Sequence, residues 1–185
     1  MNPFELAWVI WMLIWLALSF WSKRTQRHDS AVSRILYMLP LLFAVLLMVP
    51  EHLPGGMFEG RAVPYLSWFN PVGLALTWSG LAFSVWARVY LGSNWSGAVE
   101  VKQQHELVRG GPYRFVRHPI YTGMLAGFLG SAMAMDEWRG AIAVLIVLAS
   151  FLYKLRKEER FMVETFGEAY LDYRRKIRAL IPFVL

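Results

Sequence analysis

RHPIYTGMLAGFLGSAMAM, residues 117–135, passes from a basic, aromatic turn into an uncharged run of 17 residues that begins at Pro119. Proline suits the first position of a helix, because its missing N–H would have no partner there. His118 is therefore expected at the mouth of an apolar helix. A bilayer core takes about 20 mostly apolar residues, so the run is long enough to cross once its flanks are counted. Four further uncharged runs lie at residues 6–21, 35–50, 62–87 and 140–153. The last is the shortest, but Asp136, Glu137, Lys154 and Arg156 stand where their side chains could reach the two interfaces.

These runs predict an all-α fold: one polytopic membrane domain over residues 1–185, a bundle of about five transmembrane helices. The expected spans are residues 5–21, 35–50, 69–90, 119–135 and 138–155. Composition agrees, with 57% apolar and 17% charged residues against about a quarter charged in an ordinary globular chain. The first run is preceded by Glu5 rather than by basic residues, and no small-residue cleavage pattern follows it, so it reads as a retained helix.

Charge sets the expected orientation. Lys23, Arg24, Arg27 and Arg34 fill the first connection, whereas residues 51–61 hold two acids and one arginine. By the positive-inside rule the first connection is cytoplasmic. Counting on through five spans places Lys102, Arg109, Arg114, Arg117 and the basic tail on the same side, with the N-terminus outside. Residues 158–179 alternate acids and bases around Phe161, Phe166, Tyr170 and Tyr173, which reads as a cytoplasmic cap of one or two amphipathic helices broken near Gly167. Topology thus accounts for the net charge of +6, and nucleic acid is not an expected partner. No cysteine is present, and His28, His52, His105 and His118 have no zinc-ligand spacing, so no metal is expected. Small residues such as Gly73, Gly80, Gly123, Gly127 and Gly130 would let helices approach closely.

The polar cluster at the mouth of residues 119–135 is rich in chemistry. The head of that helix could hold an anion, Tyr113 and Tyr121 offer ring faces and hydroxyls, and Lys154, Arg156, Glu158 and Glu159 arrive at the same membrane level. Arginines and tyrosines are also ordinary interface anchors, and composition alone favours that plainer account.

A longer pattern goes further. HELVRGGPYRFVRHPIYTG (105–123), the Glu-Glu of KEER (157–160) and FGEAYLDYRRKIRALIPF (166–183) together resemble the isoprenylcysteine carboxyl methyltransferases and their bacterial relatives. The resemblance covers residues 92–183. It implies an integral membrane enzyme that moves a methyl group from S-adenosylmethionine, leaving S-adenosylhomocysteine, to a lipophilic acceptor beside the membrane lipids. The cofactor region is implied at residues 98–121 and 154–183, with contacts from His105, Glu106, Leu107, Val108, Tyr113, His118, Pro119, Ile120, Tyr121 and Glu158. Tyr, Leu and Val surfaces would suit the adenine, the helix mouth with His118 the methionine carboxylate, and Glu158 the ammonium.

The resemblance implies an acceptor carboxylate, of an isoprenoid or a prenylcysteine, held by an arginine four residues before that glutamate. Here Lys154 stands in its place, with Arg156 two residues on, so Lys154, Arg156 and Glu158 form the expected catalytic set. Lysine offers a point charge where arginine offers a planar fork. A phospholipid amine or a small thiol is the alternative acceptor, each needing a route for its proton. Two other classes remain at this level: an NADPH-dependent sterol-type reductase, although the chain has no GxGxxG, and a non-catalytic membrane binding protein, motivated by Lys154.

Overall fold

The computed structural model describes residues 1–20, 25–28, 30–49, 60, 66–95, 100–102 and 107–182. Six helices account for most of them: α1 (Pro3–Ser19), α2 (Ala31–Met48), α3 (Phe69–Leu91), α4 (Pro119–Met135), α5 (Trp138–Phe166) and α6 (Glu168–Lys176). The helix of residues 69–94 and α5 are long and apolar enough to cross a membrane, and α1, residues 32–48 and α4 are shorter apolar helices.

Each helix starts for a local reason. Asn2 caps α1 by accepting from the N–H groups of Phe4 and Glu5, while Glu5 reaches back to the Asn2 N–H, a reciprocal box with Pro3 in the first turn. Ser30 caps α2 by accepting from Ser33 N. Pro40 lies inside α2, which continues through it.

α3 and α4 form the centre of the bundle, and glycine lets them touch. A Cβ on Gly80 would sit 2.6 Å from the carbonyl oxygen of Gly123, and one on Gly73 would sit 2.5 Å from that of Gly130. Only hydrogen fits at such a crossing, as the small-residue spacing implies. In the same seam Thr77 Oγ1 donates to Gly73 O at 2.9 Å, and Ser131 Oγ to Gly127 O at 2.9 Å. α1 is fastened across the pair by its tryptophans, with Trp8 Nε1 donating to Ser131 Oγ at 3.0 Å and Trp11 Nε1 to Ser84 Oγ at 2.7 Å. On the other side α5 packs on α4, and α2 packs on α5.

Arg88 joins two helix ends. It is fully buried, and its guanidinium donates to Gly92 O at 2.8 Å and to Leu18 O at 2.5 Å while lying 4.2 Å over the Trp95 ring. The last turns of α1 and α3 therefore lie at one end of the bundle.

The structure departs from the expectation in one place. The chain is not purely helical, because β1 (Thr25–His28) pairs antiparallel with β2 (Glu100–Lys102), His28 opposite Glu100 and Arg27 opposite Val101. Backbone groups outside helices need partners, and these two short polar connections supply them to each other. Residues 141–166 contain neither Gly nor Pro, and α5 runs unbroken for 29 residues, about 43 Å at 1.5 Å each, through the charged segment. The break comes at Gly167, whose φ of +54 ends α5, and α6 begins at once.

Candidate functional site

The mouth of α4 is built by three segments. Residues 111–114 form a tight 3-10 turn that begins at Gly111 with φ +57, and the Tyr90 ring lies directly beneath, 2.6 Å from where a Gly111 Cβ would be. This turn buries Pro112 and Tyr113. The chain then reaches His118 and Pro119, which opens α4 as expected. After α6 the backbone returns along the mouth: Arg117 N donates to Arg178 O at 2.8 Å, His118 N to Ala179 O at 3.0 Å, and Thr122 Oγ1 to Leu180 O at 2.7 Å. Tyr173 secures the strap by donating to Tyr113 O at 2.5 Å. Burial pushes the Tyr173 hydroxyl up to about 12, so it stays a donor at any physiological pH.

α5 brings its charged stretch past this mouth. His118 stacks on Tyr121 with ring centres 5.6 Å apart, and Tyr121 stacks on Phe151 at 4.8 Å. The imidazole lies between two carboxylates, with Nδ1 3.5 Å from Glu158 and Nε2 3.4 Å from Glu159. Burial alone would push the His118 pKa down. The two carboxylates beside the ring outweigh it, so the net shift is upward and favours the imidazolium.

The two glutamates divide the work. Glu159 is closed in by arginines: Arg117 Nε donates to it at 2.8 Å, Arg117 Nη2 also bonds it, and Arg174 Nε lies 3.5 Å away. Arg117 further donates to Ile177 O, so Glu159 anchors the strap. Glu158 faces inward instead. It accepts from Tyr121 OH at 2.5 Å, and Lys154 Nζ is 3.9 Å away, one helical turn back. Its side chain keeps 23% of its surface against 8% for Glu159, so Glu158 is the more exposed side chain of the two. The arrangement gathers a carboxylate, an imidazole and a lysine amine at one helix mouth.

The expected residues fall into four groups. Tyr113, His118, Pro119, Ile120, Tyr121, Lys154 and Glu158 assemble at or directly behind the mouth, Pro119 and Ile120 being buried there. Leu107 and Val108 are half-buried, and Val108 packs on the same core. His105 and Glu106 lie outside the described residues. Arg156 is not part of the cluster: it is exposed, and two residues place it about 200° round the helix from Lys154. Sequence reading passed over Arg117, Glu159 and Arg174 as a strap anchor, although the strict Arg-His-Pro and Glu-Glu spacing was their signal. It had no means of finding Tyr37, which α2 brings to Lys154.

Comparison with known proteins follows the same segments. The chain matches the family profile described as Phospholipid methyltransferase over residues 69–169, more than half its length. A probable protein-S-isoprenylcysteine O-methyltransferase of Oryza sativa subsp. indica is 30% identical over 173 residues, covering 91% of this chain and 87% of the relative.

The chain belongs to the phospholipid methyltransferase family.

It is a methyltransferase, using a methyl donor, and the reductase and binding-protein alternatives fall away. The protein-S-isoprenylcysteine O-methyltransferase of Mus musculus is 30% identical over 122 residues, with 64% of this chain and 43% of that protein aligned. The structure of a eukaryotic intramembrane Ras methyltransferase, isoprenylcysteine carboxyl methyltransferase, superposes with a TM-score of 0.55 at 23% identity, over 83% of this methyltransferase and 50% of that chain. The methyltransferase thus shares that fold and spans about half the length of that structure.

Proposed function

We propose that this chain is an integral membrane enzyme that transfers a methyl group from S-adenosylmethionine to the carboxylate of a prenylcysteine-like lipid. The observation that carries the reading is Glu158, a carboxylate set among His118, Tyr121 and Lys154 where α4 and α5 meet. The donor set suits a zwitterion. Glu158 offers acceptors to an ammonium, while the first-turn N–H groups of α4 offer donors to a carboxylate beside the His118 ring. Tyr113, Leu107 and Val108 supply apolar wall, and His105 and Glu106 belong to the same proposed set.

Bound there, S-adenosylmethionine supplies an electrophilic methyl group on a sulfonium. The remaining work belongs to the chain. A carboxylate acceptor is already ionised at neutral pH, so no general base is needed. Lys154 holds the acceptor by charge, Glu158 and His118 fix the donor side, and the strap over the mouth excludes water, leaving alignment and desolvation to lower the barrier.

The proposed topology has five crossings, N-terminus outside, and a cytoplasmic cap made of the end of α5, α6 and the strap. Arg88 supports it by placing the ends of α1 and α3 together. Exposed apolar side chains along α2, among them Ile35, Leu39, Leu42 and Leu46, suit contact with lipid. The family description itself favours a phospholipid amine as the second reading, but an ammonium at Lys154 would repel an amine that becomes cationic on methylation.

The test uses purified protein in lipid nanodiscs with S-adenosylmethionine labelled in the methyl group. An N-acetylated farnesylcysteine and phosphatidylethanolamine serve as competing acceptors. Label released from the product as methanol by mild alkali marks an ester and supports the proposal. Label held in an alkali-stable lipid head group would overturn it in favour of the amine.

A further inference from the structure

Tyr37 lies on α2, outside the residues that match the family profile. It is only 3% exposed, deep in the seam where α2 packs on α5. Its ring centre is 5.1 Å from Lys154 Nζ, and the Tyr121 ring centre is 5.4 Å from the same nitrogen. One turn nearer the start of α2, Lys157 donates to Ser33 Oγ, so two lysines one turn apart on α5 meet two α2 residues one turn apart. These paired contacts set the register of the seam and bring Tyr37 to Lys154 rather than to its neighbours.

The placement matters because of what lysine lacks. A guanidinium would hold a carboxylate with a rigid two-pronged fork, whereas an ammonium is a point charge on a flexible stem. Two ring faces within about 6 Å attract that charge and restrict it. Tyr121 comes with the family motif, but Tyr37 comes from a helix outside it.

We infer that Tyr37 is a specificity-determining residue for the methyl acceptor. With Tyr121 it fixes the Lys154 ammonium at the α2–α5 seam, where it accepts an anionic acceptor head group and turns away an amine. The inference rests on the acceptor role proposed for Lys154. Tyr37 acts through Lys154 and is a positioning residue; the property it supports belongs to the ring, not the hydroxyl.

The experiment compares Tyr37→Phe with Tyr37→Leu and Tyr37→Met in nanodiscs, measuring S-adenosylmethionine affinity by calorimetry and steady-state methylation of the farnesylcysteine probe. Tyr37→Phe keeps the ring and is expected to hold the acceptor KM within about twofold of wild type. The Leu and Met variants, two different packings of the vacated space, are expected to raise that KM about tenfold while cofactor affinity stays within about twofold. Their ratio of farnesylcysteine to phosphatidylethanolamine methylation is expected to fall. If wild type methylates farnesylcysteine and Tyr37→Leu or Tyr37→Met matches Tyr37→Phe in acceptor KM, this inference is overturned and the proposed function stands. If wild type binds the cofactor but methylates only the amine lipid, both are overturned.

Discussion

At the level of single residues, the site is defined by how burial and charge are matched. Glu158 is the more exposed and Glu159 is enclosed, although they are neighbours in sequence, because adjacent helical positions point about 100° apart. Glu158→Gln is therefore expected to weaken S-adenosylmethionine binding by more than about tenfold, roughly 1.4 kcal/mol, in calorimetric titration. Lys154→Ala should leave that affinity nearly unchanged and lower turnover on a carboxylate acceptor; equal loss of both would place Lys154 on the cofactor instead. His118 supplies a pH dependence whose sign follows from its raised pKa. The folded state holds the proton more tightly than the unfolded chain, so the stabilisation is complete below about pH 6.5 and is lost as pH rises through the higher folded value. Melting temperature should fall as pH is raised above neutrality, and His118→Asn should flatten that slope. Much of this was legible in the strict spacing of the Arg-His-Pro and Glu-Glu motifs. Arg156 shows the limit, since proximity in sequence to Lys154 put it into the expected set while helical geometry turns it to solvent.

Among the helices, the pairing of α3 with α4 bears the most on the site, because α4 carries His118 and Tyr121. Their crossing depends on bare backbone at Gly73, Gly80, Gly123 and Gly130. Gly80→Val is expected to destabilise the bundle by about 1–3 kcal/mol, since the added atoms meet the Gly123 carbonyl, which cannot move aside as a side chain would. Reversible unfolding in mixed micelles would read this, with Gly167→Ala as a contrast: nothing lies within 4 Å of a Cβ there, and only the positive φ opposes it. A smaller effect at Gly80 than at Gly167 would mean that the crossing can relax. The start of α4 was readable from Pro119, because the fit of proline to a first helical turn is a local matter. The end of α5 was readable as well, because Gly167 takes up the positive φ that closes the helix.

For the whole molecule, the proposed arrangement puts every part of the site at one end of the bundle, on the cytoplasmic side. The chain has no cysteine, so single introduced thiols report sidedness cleanly. Trp138→Cys, at the start of α5, should react with a membrane-impermeant maleimide applied outside, and Lys176→Cys at the end of α6 only after permeabilisation. The reverse pattern would invert the topology. The sequence alone determined the membrane class, the start of α4 and the methyltransferase resemblance, because hydropathy, capping and short motifs depend on residues near one another in the chain. Tertiary structure alone decided which carboxylate is the more exposed, how residues 177–180 close over His118, and that Tyr37 reaches Lys154. Those contacts join residues 37 to 117 positions apart, and only the packing of α2 and α4 on α5 and the return of the chain after α6 bring them together.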